Sequence, residues 1–332
     1  MKRVSLFVIV LMIAATVGFA GGRAETEAAA TVAEDCYPGE LDERYCDRTG
    51  NLVADPPLDE SQWVDPPTLV FAYAPVEDPA IFEAAFSDFL AHLENELARP
   101  VQWFGVRSYA AQIEAMRAGR LHVSGFSAGS VQSAVNVAGF VPMVMMAEDG
   151  KYGAGMRVIV HKDSDIQSVD DLAGREVAFV SESSNSGYLA PRAILYEEFD
   201  LLPERDYRTV FSGSHDNSIL GVYNKDYESA SVAELILHRM TQGGRFDGME
   251  DLRVIYSSAD FPPAAYGTSY NLHPDLQRQI KEAFLSFDWS GTSLYEEFAP
   301  RNEFVPVDYK EQWQIMRTIR SGSETVADLV GE

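Results

Sequence analysis

From Thr68 onward the chain alternates short β-rich runs with stretches of helical periodicity, and few folds accommodate that rhythm. Residues 68–73 form the first β-rich run. Over 79–97, Ile81, Phe82, Phe86, Phe89, Leu90, Leu93 and Leu97 fall on one helical face, with Pro79 at the start. The same patterning predicts strands at 101–106, 121–124, 141–146 and 156–160, with helices over 109–119 and 127–137. It continues with strands at 175–180, 207–211 and 252–256 and helices over 187–199, 217–223 and 232–240. Helices over 274–287 and 309–320 close the chain. Such alternation argues for an α/β protein whose parallel sheets are covered by helices on both faces. A length of 332 residues leaves room for two such units.

The first residues have a different character. Lys2 and Arg3 precede an apolar run over 6–15, and small residues follow up to Ala20, which is the layout of a secretory signal peptide over 1–20. A membrane anchor is the poorer reading, because the stretch over 4–20 is broken by Ser5, Thr16 and Gly18 and falls short of the roughly 20 apolar residues a span needs. The expected product is exported, soluble and periplasmic. Residues 21–65 read as a small, polar, acidic extension. Two cysteines in an exported chain read most simply as one disulfide, Cys36 to Cys46, contributing about 3 kcal/mol on the chain-entropy account. Residues 47–55 space oxygen-bearing side chains around Gly50 as a calcium loop does, without the bidentate closing glutamate. A solvated acidic loop is preferred there, with calcium left open. No other metal set and no cofactor is expected.

Lysine and arginine number 26 against 51 aspartates and glutamates, a net charge of −25. That surface repels phosphate backbones and excludes nucleic-acid binding as the main task. A small anion, held by local donors, is not excluded. Gly125-Phe126-Ser127-Ala128-Gly129 matches the G-x-S-x-G pattern between a strand and a helix, so a secreted serine hydrolase is one alternative. It would draw on His215, His238 or His273 and on Asp247 or Asp260, but no His-Gly-Gly-type oxyanion segment precedes the motif. More telling are four loops of small hydroxyl or amide residues, each running into a helix: Arg107-Ser108-Tyr109, Ser127-Ala128-Gly129-Ser130, Ser183 to Gly187, and Ser212 to Asn217. Each alone is an N-cap. Four converging helix starts would offer enough N–H and O–H donors to hold an oxyanion without net positive charge.

Three segments carry a family likeness: Ser108-Tyr109-Ala110-Ala111-Gln112-Ile113-Glu114-Ala115-Met116, Ser184-Asn185-Ser186-Gly187-Tyr188-Leu189-Ala190-Pro191, and His215-Asp216-Asn217-Ser218-Ile219-Leu220-Gly221-Val222-Tyr223-Asn224-Lys225. Through them, and over about 68–289, the chain resembles the phosphate/phosphite/phosphonate-binding proteins of ABC importers. The resemblance implies a two-lobed periplasmic-binding-protein fold, each lobe a mainly parallel sheet flanked by helices. Lobe one would comprise 66–154 and 259–332, and lobe two 155–258, with hinge crossings near 153–155 and 257–259. It implies a phosphonate, phosphite or phosphate bound in the cleft, hinge closure, no catalysis, and a membrane permease with its ATPase as partners. A monomer is expected. A sensory protein feeding a receptor kinase is the variant reading. By the same resemblance Ser184, Asn185 and Ser186 grip the oxyanion and Tyr109 and His215 contact it, with Ser127 beside them. If the His215 imidazole donates as a cation, its contribution to binding is greatest at low pH. Glu234 matches the acid that receives an alkylamine tail, while the second acidic position reads apolar at 261–266. Phe126 stands where a tyrosine can occur. These departures favour a smaller or less polar oxyanion.

Overall fold

The run Leu69–Tyr73 is buried at every position except Val70, as in a strand covered by helices on both faces. It is β1 of the computed structural model, which describes Cys36 and residues 39–153, 155–242 and 248–331. The signal-peptide reading, most of the acidic extension before residue 39, Ala154 of the first crossing and Asp247 lie outside the described residues. Ten further strands follow among them: β2 (Val101–Trp103), β3 (Val123–Phe126), β4 (Phe140–Ala147), β5 (Met156–His161), β6 (Glu176–Phe179), β7 (Arg208–Phe211), β8 (Ser229–Ala233), β9 (Leu252–Ser257), β10 (Ala265–Ser269) and β11 (Glu303–Pro306).

They form two sheets, ordered β11-β4-β10-β3-β1-β2 and β7-β6-β8-β5-β9. The architecture is mixed α/β with helices flanking both sheets, as expected, but the pairing is less parallel than the alternation implies. β1 pairs in parallel with β2 and β3, and β6 with β7 and β8; the remaining pairs are antiparallel. The cause is topological. β5 is the first strand of the second sheet and β10 the strand that returns to the first. Each inserts between two strands that run the other way, β8 and β9 or β3 and β4.

Three local departures have packing causes. The helix expected over 79–97 is two helices, Pro79–Ala85 and Ser87–Leu97, joined at Phe86 with φ −84° and ψ −1°. The fully buried Phe86 ring packs among Phe71, Tyr73 and Trp103, and that contact sets its backbone. The start of the helix expected over 232–240 is instead the end of β8, and the helix itself is Glu234–Gln242. β8 reads Ser-Ala-Ser-Val-Ala, too small and mixed to signal a central strand, yet its hydroxyls are satisfied internally: Ser229 donates to Glu176 O and Ser231 to Ser186 O. β10 and β11 were not expected either, since neither alternates polar with apolar residues.

Cys36 and Cys46 are both disulfide-bonded, as expected. In the loop that follows, the buried Asp47 carboxylate accepts N–H bonds from Thr49, Gly50, Asn51 and Leu52. It organises the turn, and no group of metal-ligating side chains is found among the described residues. No helix among them is long and apolar enough to cross a membrane.

Candidate functional site

Each of the four small-residue loops does begin a helical turn. Ser108 caps the helix Tyr109–Arg117 by accepting from Ala111 N at 3.2 Å. Ser214 caps His215–Tyr223 through Asn217 N at 3.4 Å. Ser127 is the N-cap of Ala128–Ala138, with no side-chain cap bond. Ser184 caps the π-helical turn Asn185–Leu189 by accepting from Gly187 N at 3.2 Å. Single π-turns are rare and gather at functional sites.

The residues beside these caps meet. Tyr109, Ser127, Ser184, Asn185, Ser186 and His215 all line one cavity of about 100 Å³. Ser108 and Ser214 are not in its lining, their hydroxyls being engaged by the helix ends. Tyr109 and Ser127 belong to elements attached to the first sheet, and Ser184 to Ser186 and His215 to elements of the second. The two sides approach closely at Gly129, where a Cβ would lie 2.6 Å from Asn185 N and 2.7 Å from Ser183 O. A Cβ on Gly125 would lie 2.5 Å from the Tyr266 ring. Both glycines of the G-x-S-x-G pattern are therefore explained by packing. Ser127 Oγ hydrogen-bonds Ser130 Oγ at 2.9 Å, with no histidine partner among the described residues, and its backbone is ordinary extended chain. The pattern thus lacks the geometry of an activated serine.

His215 corrects one expectation. Its Nδ1 accepts the Ala233 N–H at 3.1 Å, which leaves the ring proton on Nε2. Burial, reinforced by the positive charge of Arg239, pushes its pKa down to about 3. The imidazole is a neutral donor and not a cation, with Nε2 3.4 Å from Ser184 Oγ. Burial pushes the Tyr109 phenol well up, so it keeps its proton. Its hydroxyl sits near those of Ser184 and Ser127 but completes no hydrogen bond. A buried donor left unsatisfied costs about 1–3 kcal/mol, and an acceptor in the cavity would remove that penalty.

Glu234 is not brought to the cavity. Its carboxylate pairs with the Arg157 guanidinium, which diverts it from any ligand amine. Phe126 is core, edge-on to Phe140 at 4.7 Å between centroids. Most of the remaining wall is apolar, including Val76, Ile236, Phe261 and Pro262, and no carboxylate among the described residues lines it. Two polar lining residues escaped the sequence reading: Tyr73 and Arg239. Tyr73 ends β1, and ligands of open α/β sheets gather beyond the carboxyl ends of strands. Arg239 follows the apolar run Leu235-Ile236-Leu237, where a lone cation was a usable signal.

Comparison with known proteins agrees with this geometry. A family described as ABC transporter, phosphonate, periplasmic substrate-binding protein matches residues 71–313. The phosphate-import protein PhnD of Mycolicibacterium smegmatis is 25% identical over 281 residues, covering 80% of this chain and 87% of that protein. The phosphonates-binding periplasmic protein of Escherichia coli is 26% identical over 224 residues, 66% of each chain. Among solved structures, a binding protein component of an ABC phosphonate transporter from Pseudomonas aeruginosa has a TM-score of 0.72 at 20% identity, covering 81% of this chain and 90% of that one. PhnD1 from Prochlorococcus marinus in complex with methylphosphonate has a TM-score of 0.68 at 17% identity, with coverage of 80% and 99%.

Proposed function

Because the chain belongs to the periplasmic substrate-binding family of ABC phosphonate transporters, we propose that its cargo is a small tetrahedral phosphorus oxyanion with an uncharged substituent, such as methylphosphonate, phosphite or phosphate. The observation that carries this reading is the make-up of one cavity: hydroxyl, imidazole, phenol and guanidinium donors, apolar surface, and no carboxylate among the described residues. In it Ser184, Asn185 and Ser186 hold the anion with the N–H groups of their turn, Tyr109 and Ser127 donate from the other side, and His215 donates from Nε2. The neutral imidazole suits this role, since it gives a hydrogen bond at any pH above its low pKa. An aminoalkylphosphonate is disfavoured because its ammonium would meet Arg239 and apolar side chains, with Glu234 already engaged by Arg157.

Closure follows from the arrangement of chain. Lobe one is residues 66–154 and 259–332, and lobe two 155–258, joined near 153–155 and 257–259; the division of strands between the two sheets supports the crossings, while the C-terminal helix Gln314–Val330 packs on the helix Ala190–Phe199 of lobe two. A ligand touching both lobes favours the closed state by its differential affinity for it. The closed monomer presents its cargo to a membrane permease driven by an ATPase. No bond is made or broken. Export removes residues 1–20 and leaves the mature chain in the periplasm.

A thermal-shift panel of phosphate, phosphite, methylphosphonate and 2-aminoethylphosphonate on dialysed mature protein tests the reading. At 100 times Kd a ligand adds about 2.7 kcal/mol to stability. The first three are expected to raise Tm and the fourth to do so least; a preference for the aminoalkyl compound would overturn the assignment.

A further inference from the structure

Arg239 belongs to the helix Glu234–Gln242, which follows β8 of the second sheet, yet its partners are attached to the first. Its Nη2 donates to Glu77, in the segment that follows β1. Its Nε lies 3.6 Å from Glu297 of the helix Ser293–Phe298. The guanidinium carbon stands 4.8 Å from the Phe298 ring centroid and 5.7 Å from that of Phe82. Arg239 and Glu77 are both buried. One residue before Glu77, Val76 O accepts the His215 N–H at 3.3 Å. The segment Val76–Glu77 is thus held twice by elements of the second sheet, and Val76, His215 and Arg239 all line the cavity. Arg239 Nη1 has no hydrogen-bond partner among the described residues.

We propose that Arg239 donates to the bound anion from Nη1 and thereby couples anion binding to closure, an inference that rests on the two-lobed, anion-binding reading above. Closing the lobes strips water from the guanidinium and from Glu77, and their attraction offsets that desolvation only when the remaining donors are also satisfied. In the empty closed state Nη1 is buried without an acceptor, which penalises that state. An anion in the cavity supplies the acceptor. A planar guanidinium can serve one carboxylate and one further oxyanion at once, while the Phe82 and Phe298 faces hold its plane. The anion therefore binds the closed form more tightly than the open one, which is the condition for a ligand to drive the transition.

The test compares wild type, Arg239→Met, Arg239→Lys and Glu77→Gln. Methylphosphonate and phosphate affinities come from calorimetry, dissociation rates from stopped flow, and the radius of gyration from small-angle scattering with and without anion. Wild type is expected to bind and contract. Arg239→Met should bind about tenfold or more weakly, mainly through faster dissociation, and should contract less at saturation, measured well below a Tm that is itself lowered because Glu77 loses a buried partner. Arg239→Lys should recover part of both effects. Glu77→Gln, which leaves the cavity lining untouched, should also speed dissociation. Affinity within twofold of wild type for Arg239→Met, or an unchanged dissociation rate for Glu77→Gln, overturns the proposal. If wild type binds neither anion, the anion reading fails separately. The coupling is then judged on ligand-free scattering of the double variant Arg239→Met/Glu77→Gln, which removes both the unsatisfied guanidinium and the carboxylate paired with it: a smaller radius than wild type supports the proposal and an equal or larger one overturns it.

Discussion

The two sheets hold their sides of the cavity by different means. Behind β1 and β10 the first sheet packs rings on rings: Phe71, Phe86, Phe89, Tyr266, Phe284 and Phe304 are buried in mutual contact. The second sheet places small hydroxyl residues at its centre, and Ser231 of β8 reaches from the strand to the carbonyl of Ser186 in the cavity-lining turn. The first side is positioned by shape and the second by hydrogen bonds. On the reading proposed above, aromatic packing should govern stability and the hydrogen-bonded turn anion affinity.

Substitutions should separate the two. Phe89→Ala, in the aromatic layer, is expected to lower stability by about 3–5 kcal/mol while anion affinity, measured by calorimetry well below Tm, stays within a few-fold of wild type. A large affinity loss in the folded variant would break the contrast. On the other side, Ser186→Ala should weaken anion binding about 10- to 150-fold, the range for a hydrogen bond of about 1.5–3 kcal/mol to a charged group, and Tyr109→Phe, which takes a phenol donor from the first sheet's side of the cavity, should do so by a similar factor. Their ligand-free melting temperatures should move by only a few degrees.

These sites also show what the sequence makes legible. The four capped helix starts were readable because Ser, Asn and Gly before an apolar periodic run have a local cause. Ser184, Asn185, Ser186, Ser127, Tyr109 and His215 meet at one cavity because those starts do. β8 was illegible because a central strand of serine and alanine has no period and is stabilised by its neighbours. The protonation of His215 was illegible too, since it depends on the Ala233 N–H and on burial, both tertiary. Glu234 misled for the same reason: its partner Arg157 is distant in sequence and adjacent only through the β5–β8 pairing.

His215 gives a third prediction. Its folded pKa is below the ordinary histidine value, so the unfolded chain binds the proton more readily as pH falls from about 6.5 towards 3. Stability from this group is present above pH 6.5 and lost on acidification, by up to about 1.4 kcal/mol per pH unit. Thermal melts of wild type and His215→Gln between pH 4.5 and 7.5 check the sign: the wild-type slope should be the steeper. Anion affinity, in turn, should show no gain towards pH 5.5 from histidine protonation; such a gain, absent in His215→Gln, would restore the cationic reading. The smallest effect is expected from Ser231→Ala, which removes one neutral hydrogen bond of about 1 kcal/mol behind the turn. A loss of affinity of about fivefold with unchanged stoichiometry would sharpen the view of the second sheet as a hydrogen-bonded support.

The Arg157–Glu234 pair bears on how such a protein changes its diet. Glu234 stands between Ala233 and Leu235, which both line the cavity, while its carboxylate is drawn off by a cation on the adjacent strand. One codon change at Arg157 would release that acid without altering any residue in the lining. On the reading proposed above, cargo preference would then be set in part by a position outside the cavity, and the lining could be inherited intact while that preference changes.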